Sequence, residues 1–127
     1  MPHVEILGID SLDDCCVRFQ PRSFEEEGRI AKTLQCYLSC DRRSALIECV
    51  TVEGFLRQSF FVLLSLRSDG VMVRLLPRTA PEKTDAVKRC LVWIARGLAA
   101  GRPTASVGAT NLPAELETPL PEGADFA

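Results

Sequence analysis

Residues 55–77 read FLRQSFFVLLSLRSDGVMVRLLP, two apolar runs on either side of Asp69-Gly70. Asp-Gly between alternating hydrophobic residues is a strong hairpin signal, because both residues tolerate positive φ. With Asp69 and Gly70 as the turn, Ser68 faces Val71, Leu66 faces Val73 and Leu64 faces Leu75. Alternate strand residues share a face. One face then carries Phe60, Val62, Leu64, Leu66, Val71, Val73 and Leu75, without a charge. The other carries Phe61, Leu63, Ser65, Arg67, Met72, Arg74 and Leu76.

The same reasoning extends upstream. A turn at Glu53-Gly54 places Ile47 opposite Phe60 and Ala45 opposite Val62, on the uncharged face already defined. Leu46 then falls opposite Phe61, Val50 opposite Arg57 and Val52 opposite Phe55, with Glu48 diagonal to Arg57. Two separate turns agree on one core face, which argues for a three-stranded antiparallel meander.

Before the meander, residues 3–9 and 15–20 alternate weakly and read as a hairpin. Pro21 ends it. Ser23 and Glu26 have capping-box spacing, and Phe24, Ile30, Ala31, Leu34, Tyr37 and Leu38 form a stripe at helical spacing, so a helix is expected there. After the meander, Thr79 and Glu82 repeat the capping-box spacing. Val87, Cys90, Leu91, Ile94 and Leu98 share one arc, and Gly101 with Pro103 stops a second helix. Residues 104–127 lack periodicity and carry four acids and no base, which reads as a disordered acidic tail.

The expected fold is therefore α+β: a two-layer domain over residues 1–103, an antiparallel sheet of about five strands with two helices in the order ββαβββα, then the tail. That element order resembles the small longin and roadblock scaffolding domains in topology only, since no sequence motif of that group is present. With both helices on the core face, Leu46, Val50, Phe55, Phe61, Leu63, Met72 and Leu76 are left as an apolar second face, larger than a monomer comfortably exposes. Val92 and Trp93, beside arginines, suggest a second contact surface.

Composition narrows the function further. At 46% hydrophobic and 25% charged, the 127 residues suit one ordinary globular domain. No apolar run is long enough to span a bilayer, and the N-terminal residues lack a basic signal region, so a cytoplasmic chain is expected. Six cysteines then read as free thiols in a reducing compartment. Cys15, Cys16, Cys36 and Cys40 are numerous enough for a four-thiolate site, but the spacing is wrong for paired knuckles, so no metal is expected. The only histidine, His3, is too near the terminus to serve a catalytic pair, and no glycine-rich phosphate loop is present. Neither a cofactor nor an enzymatic activity is indicated.

The net charge of −2 conceals a basic middle: residues 54–103 hold nine Lys/Arg and three Asp/Glu. Arg57, Arg67, Arg74, Lys88, Arg89 and Arg96 are the candidates for a basic surface, but the aromatic platforms of a nucleic-acid binder are missing. Three readings follow. The first is a non-enzymatic interaction module, a small adaptor, scaffold or regulatory subunit. It pairs with itself or with another protein through the apolar sheet face. The second is a small-molecule-binding or enzymatic domain with a pocket between sheet and helices, Glu27, Tyr37 and Glu48 being its polar groups. The third is nucleic-acid binding through the basic middle.

Overall fold

The meander exists, and both of its turns are displaced by one residue pair. The computed structural model describes residues 2–79, 81–100 and 102–119. Within it Leu56–Leu66 pairs antiparallel with Gly70–Leu75, with Leu66 opposite Val71, Leu64 opposite Val73 and Val62 opposite Leu75. Ser44–Glu53 pairs with Leu56–Leu66 so that Ile47 faces Val62, Val50 faces Ser59 and Glu48 faces Phe61. Each register lies two residues from the expected one. An even displacement keeps every side chain on its face, which is why the core-face assignment survives. The diagonal between Glu48 and Arg57 does not.

The turns owe their residues to different causes. Gly54 has φ +62 and, with Phe55, makes a two-residue connection between Glu53 and Leu56. Neither Asp69 nor Gly70 has positive φ. Gly70 is instead a point of close approach: a Cβ there would lie 2.1 Å from the carbonyl oxygen of Ile6 on the neighbouring strand.

The elements in chain order are β1 (His3–Leu7), α1 (Asp13–Val17), β2 (Arg22–Glu26), β3 (Arg29–Leu38), β4 (Ser44–Glu53), β5 (Leu56–Leu66) and β6 (Gly70–Leu75). A 3-10 turn at Pro77–Thr79, α2 (Asp85–Ala99), β7 (Ser106–Thr110) and α3 (Pro113–Glu117) follow. The strands form one seven-stranded sheet in the order β2-β3-β4-β5-β6-β1-β7, antiparallel throughout and curled into a half-barrel.

This corrects the expected five-stranded sheet with two helices and a disordered tail. The segment read as a first helix is the hairpin β2–β3. Glu27 and Gly28, at φ 51 and 78, form its two-residue turn, because Glu26 pairs with Arg29. Two successive positive φ values match the twist of a hairpin and cannot sit inside a helix. The segment read as a second strand is α1, whose first turn carries Asp13 and Asp14 at the positive end of the helix. Ser106–Thr110, placed by sequence in the tail, is edge strand β7 on β1. Thr110 Oγ1 donates to His3 O at 2.8 Å, and His3 N donates to Asn111 Oδ1 at 2.9 Å. The remainder of that tail, residues 120–127, lies outside the described residues. With a helix between β1 and β2 and a seventh strand after α2, the longin-type order does not hold.

The second expected helix is real, but it starts at Asp85 on a Thr84 cap, whose hydroxyl accepts from Val87 N. Thr79 does other work: its hydroxyl accepts from Phe61 N at 3.1 Å. The expected arc of Val87, Cys90, Leu91, Ile94 and Leu98 is buried against the concave face of the sheet. There it meets Val4, Ile6, Ala45, Ile47, Phe60, Val62, Leu64, Val71, Val73 and Leu75. Trp93 stacks edge-on against Phe24 of β2, ring centres 4.8 Å apart. Burying each large aliphatic side chain contributes about 1.5–3 kcal/mol, so this layer supplies most of the folding drive.

Candidate functional site

Every described helix lies on the concave side. α2 packs on the core, α3 packs on α2, and α1 reaches β3 through Cys16 and the core-facing Cys36. No described helix lies over the convex face. Its central row runs across five strands as Tyr37, Leu46, Leu63, Arg74 and His3. Phe61 and Met72 lie in the flanking rows, and the rings of Tyr37 and Phe61 are 6.4 Å apart across β4. Leu46, Phe61, Leu63, Met72 and Leu76 are half-buried and Tyr37 is 50% exposed. Within this apolar strip the Arg74 Nε is buried and has no hydrogen-bond partner among the described residues.

The other interface candidates lie elsewhere. Val50 is on the convex face but buried, and Phe55 stands fully exposed at the β4–β5 turn. Val92 and Trp93 belong to the core, at 0% exposure. The basic candidates do not form one surface. Arg57 and Arg67 are exposed, Lys88 and Arg74 half-buried, and Arg89 buried. Nor do the pocket candidates converge. Tyr37 and Glu48 are on the convex face, whereas Glu27 sits in the β2–β3 turn, 3.4 Å from Arg29.

Arg89 and Arg96 are structural. Arg89 holds the Glu26 carboxylate with two bonds, Nε–Oε1 at 2.6 Å and Nη2–Oε2 at 3.0 Å. It also donates to the carbonyl oxygens of Glu115, Thr118 and Pro119, at 2.9, 3.0 and 2.8 Å. Arg96 donates to those of Leu116 and Thr118. The C-terminal end of α3 thus presents its free carbonyls to two guanidiniums, the favourable sense for a helix dipole. The hydrogen bond from Arg89 holds the Glu26 carboxyl below its ordinary value of 4.5, against a smaller opposing effect of burial. A depressed carboxylate stabilises the fold above its unfolded-state value and loses that contribution as pH falls through the folded one. The melting temperature should therefore fall as pH drops below 4.5, and Glu26→Gln should be less stable at pH 7 with a shallower acid slope. Calorimetry between pH 7 and 3 checks this.

Three of the cysteines named by sequence are brought together. Cys16 Sγ is 3.0 Å from Cys36 Sγ, and Cys15 Sγ donates to Leu12 O at 2.9 Å. Cys40 is exposed at the β3–β4 turn. Among the described residues no group of three or more His, Cys, Asp or Glu is arranged to hold a metal ion. Burial, with the neighbouring Cys16, pushes the Cys15 thiol up to about 12, and burial raises Cys36 as well. Both stay protonated thiols at neutral pH, so neither is an activated nucleophile.

One cavity of about 320 Å³ opens at the end of α2. Its floor is apolar, made by Ile47 and Leu64 of the sheet with Ile94 and Leu98 of α2. Arg18, Arg22 and Arg102 line it as well, with Asp14 as its only acid among the described residues. Sequence reading singled out none of these four, because they are scattered from residue 14 to residue 102 and only the topology brings them to one site. No helix among the described residues is long and apolar enough to cross a membrane. Compared with protein-family models, curated proteins and solved structures, the chain matches none.

Proposed function

We propose that the chain is a non-enzymatic interaction module that pairs through its convex sheet face with a second copy of itself. The observation that carries this reading is the Arg74 Nε, buried without a partner among the described residues in an apolar strip that no described helix covers. An unsatisfied buried donor costs about 1–3 kcal/mol, a cost removed if the Arg74 guanidinium turns outward to an acceptor on a second copy. Glu48 is a suitable acceptor. It projects from the same face, on β4 two strands from Arg74 on β6, with Phe61 and Leu63 of β5 between them. A two-fold axis lying in the interface over β5 sets Glu48 of each copy against Arg74 of the other. Such an isologous contact is the commonest way a chain closes on itself. It buries Leu46, Leu63, Phe61 and Met72 around two charge-assisted bonds.

Charge reversal tests the reading. Glu48→Arg alone and Arg74→Glu alone should each convert the dimer to monomer in sedimentation velocity at about 10 μM, since like charges opposed in a buried interface cost several kcal/mol. The two substitutions together should restore the dimer. If the double variant stays monomeric while its thermal melt matches the wild type, pairing with a second copy through this face is overturned.

A further inference from the structure

The cavity at the end of α2 lies on the opposite side of the sheet from the convex face, so it can be occupied without disturbing the pairing surface. We infer that it binds a small amphipathic anion, a short apolar body carrying a carboxylate or phosphate head group. Its volume of about 320 Å³ falls at the lower end of small-ligand pockets, which run from roughly 300 to 1,000 Å³. The floor of Ile47, Leu64, Ile94 and Leu98 offers no charge, which suits an aliphatic or aryl body. Arg18 and Arg102 outnumber Asp14, the one carboxylate of the lining among the described residues, which suits an anionic head.

The three arginines come from separate parts of the chain. Arg18 follows α1, Arg22 begins β2, and Arg102 follows α2. Arg18 is exposed and makes no ion pair with a described residue. Three other arginines do: Arg29 engages Glu27, Glu53 and Asp85, Arg42 engages Asp13, and Arg89 engages Glu26; Arg96 is spent on backbone carbonyls. Thr33, also in the lining, is buried with its hydroxyl already accepting from Arg22 N at 3.2 Å. Recognition of the body is therefore apolar and recognition of the head is electrostatic. The Cys15 thiol beside the cavity is protonated and cannot attack a bound acyl group, which favours binding over turnover.

The test titrates full-length protein with octanoate, octyl phosphate and octanol, following amide resonances by NMR in low-salt reducing buffer. At least one anion should shift the Ile47, Leu64 and Ile94 amides and bind about tenfold more tightly than octanol, and its affinity should fall as salt is raised. The two anions distinguish a carboxylate site from a phosphate site. Arg18→Glu and Arg102→Glu, both near the surface, should each weaken that anion about tenfold and leave octanol binding unchanged. Octanol binding as tightly as both anions, shifts confined to other residues, or no binding at millimolar ligand would each overturn the inference.

Discussion

Replacing Arg89 with alanine lowers the unfolding free energy by about 3–5 kcal/mol, the cost of removing one partner from a buried ion pair. The side chains of Arg89 and Glu26 are only 7% and 15% exposed, so water cannot take over for the lost guanidinium. The substitution leaves the Glu26 carboxylate stranded and also strips three donors from the carbonyls that end α3. Against a typical domain stability of about 5–15 kcal/mol, the loss is a large fraction. Arg89→Lys should recover only part of it, since an ammonium cannot make the two-pronged contact with Glu26 while also reaching Glu115, Thr118 and Pro119. Urea denaturation measures the difference. A second readout separates the two roles of the residue. Amide exchange at residues 113–119 should rise strongly in Arg89→Ala and only modestly in Glu26→Gln, which keeps the guanidinium on the α3 carbonyls. Equal protection of that segment in wild type and Arg89→Ala would contradict the assignment.

Gly70→Ala is the second large effect, expected at about 3 kcal/mol or more, at the upper end of what overpacking does. The added methyl would stand 2.1 Å from Ile6 O and 2.9 Å from Leu7 Cα, both backbone atoms that no side-chain rotation can clear. β1 and β6 must part locally, and β1 carries Val4 and Ile6, both fully buried. Gly54→Ala is the control. Its φ of +62 costs an alanine about 1–2 kcal/mol, but nothing lies within 4 Å of the new methyl. The order of the two effects discriminates between causes. If turn conformation mattered most at Asp69-Gly70, the two variants would be alike; close packing of β1 makes Gly70→Ala clearly the worse in thermal or urea unfolding.

Gly70 also shows how much of the fold was legible. The Asp-Gly signal located a genuine hairpin, although the glycine answers to Ile6 and Leu7 of β1, far away in the chain, and not to its own φ. The core face of the meander was readable because period-2 alternation is insensitive to a two-residue displacement of register. α2 was readable from its apolar arc, whereas its start was misplaced because Thr79, chosen as cap, bonds instead to Phe61 N. The β2–β3 hairpin was hidden behind an accident of spacing. Ser23 and Glu26 mimic a capping box, and the apolar residues of 24–38 satisfy a helical period as well as an alternating one. Gly28, in the middle of that presumed helix, was the available clue. It costs about 1 kcal/mol in a helix and is favoured in a two-residue turn.

β7 had no comparable clue. Ser106–Thr110 is short, mostly exposed and weakly apolar, and it is a strand because β1 offers an open edge. Of the candidate surface, Leu46, Phe61, Leu63 and Met72 followed from alternation alone. Val92 and Trp93 did not, because α3 and β2 cover the part of α2 that sequence left open. The arginine-lined cavity could not be read from the chain at all, since its parts share no local pattern.

The central claim is that the convex face is a pairing surface. Light scattering of the full-length chain over a concentration series in reducing buffer tests it most directly. The mass should be twice that of the chain at tens of micromolar, and Phe61→Glu with Met72→Glu should halve it without lowering the helix and strand content seen by circular dichroism. A wild-type chain that remains at monomer mass up to high micromolar concentration would contradict the claim.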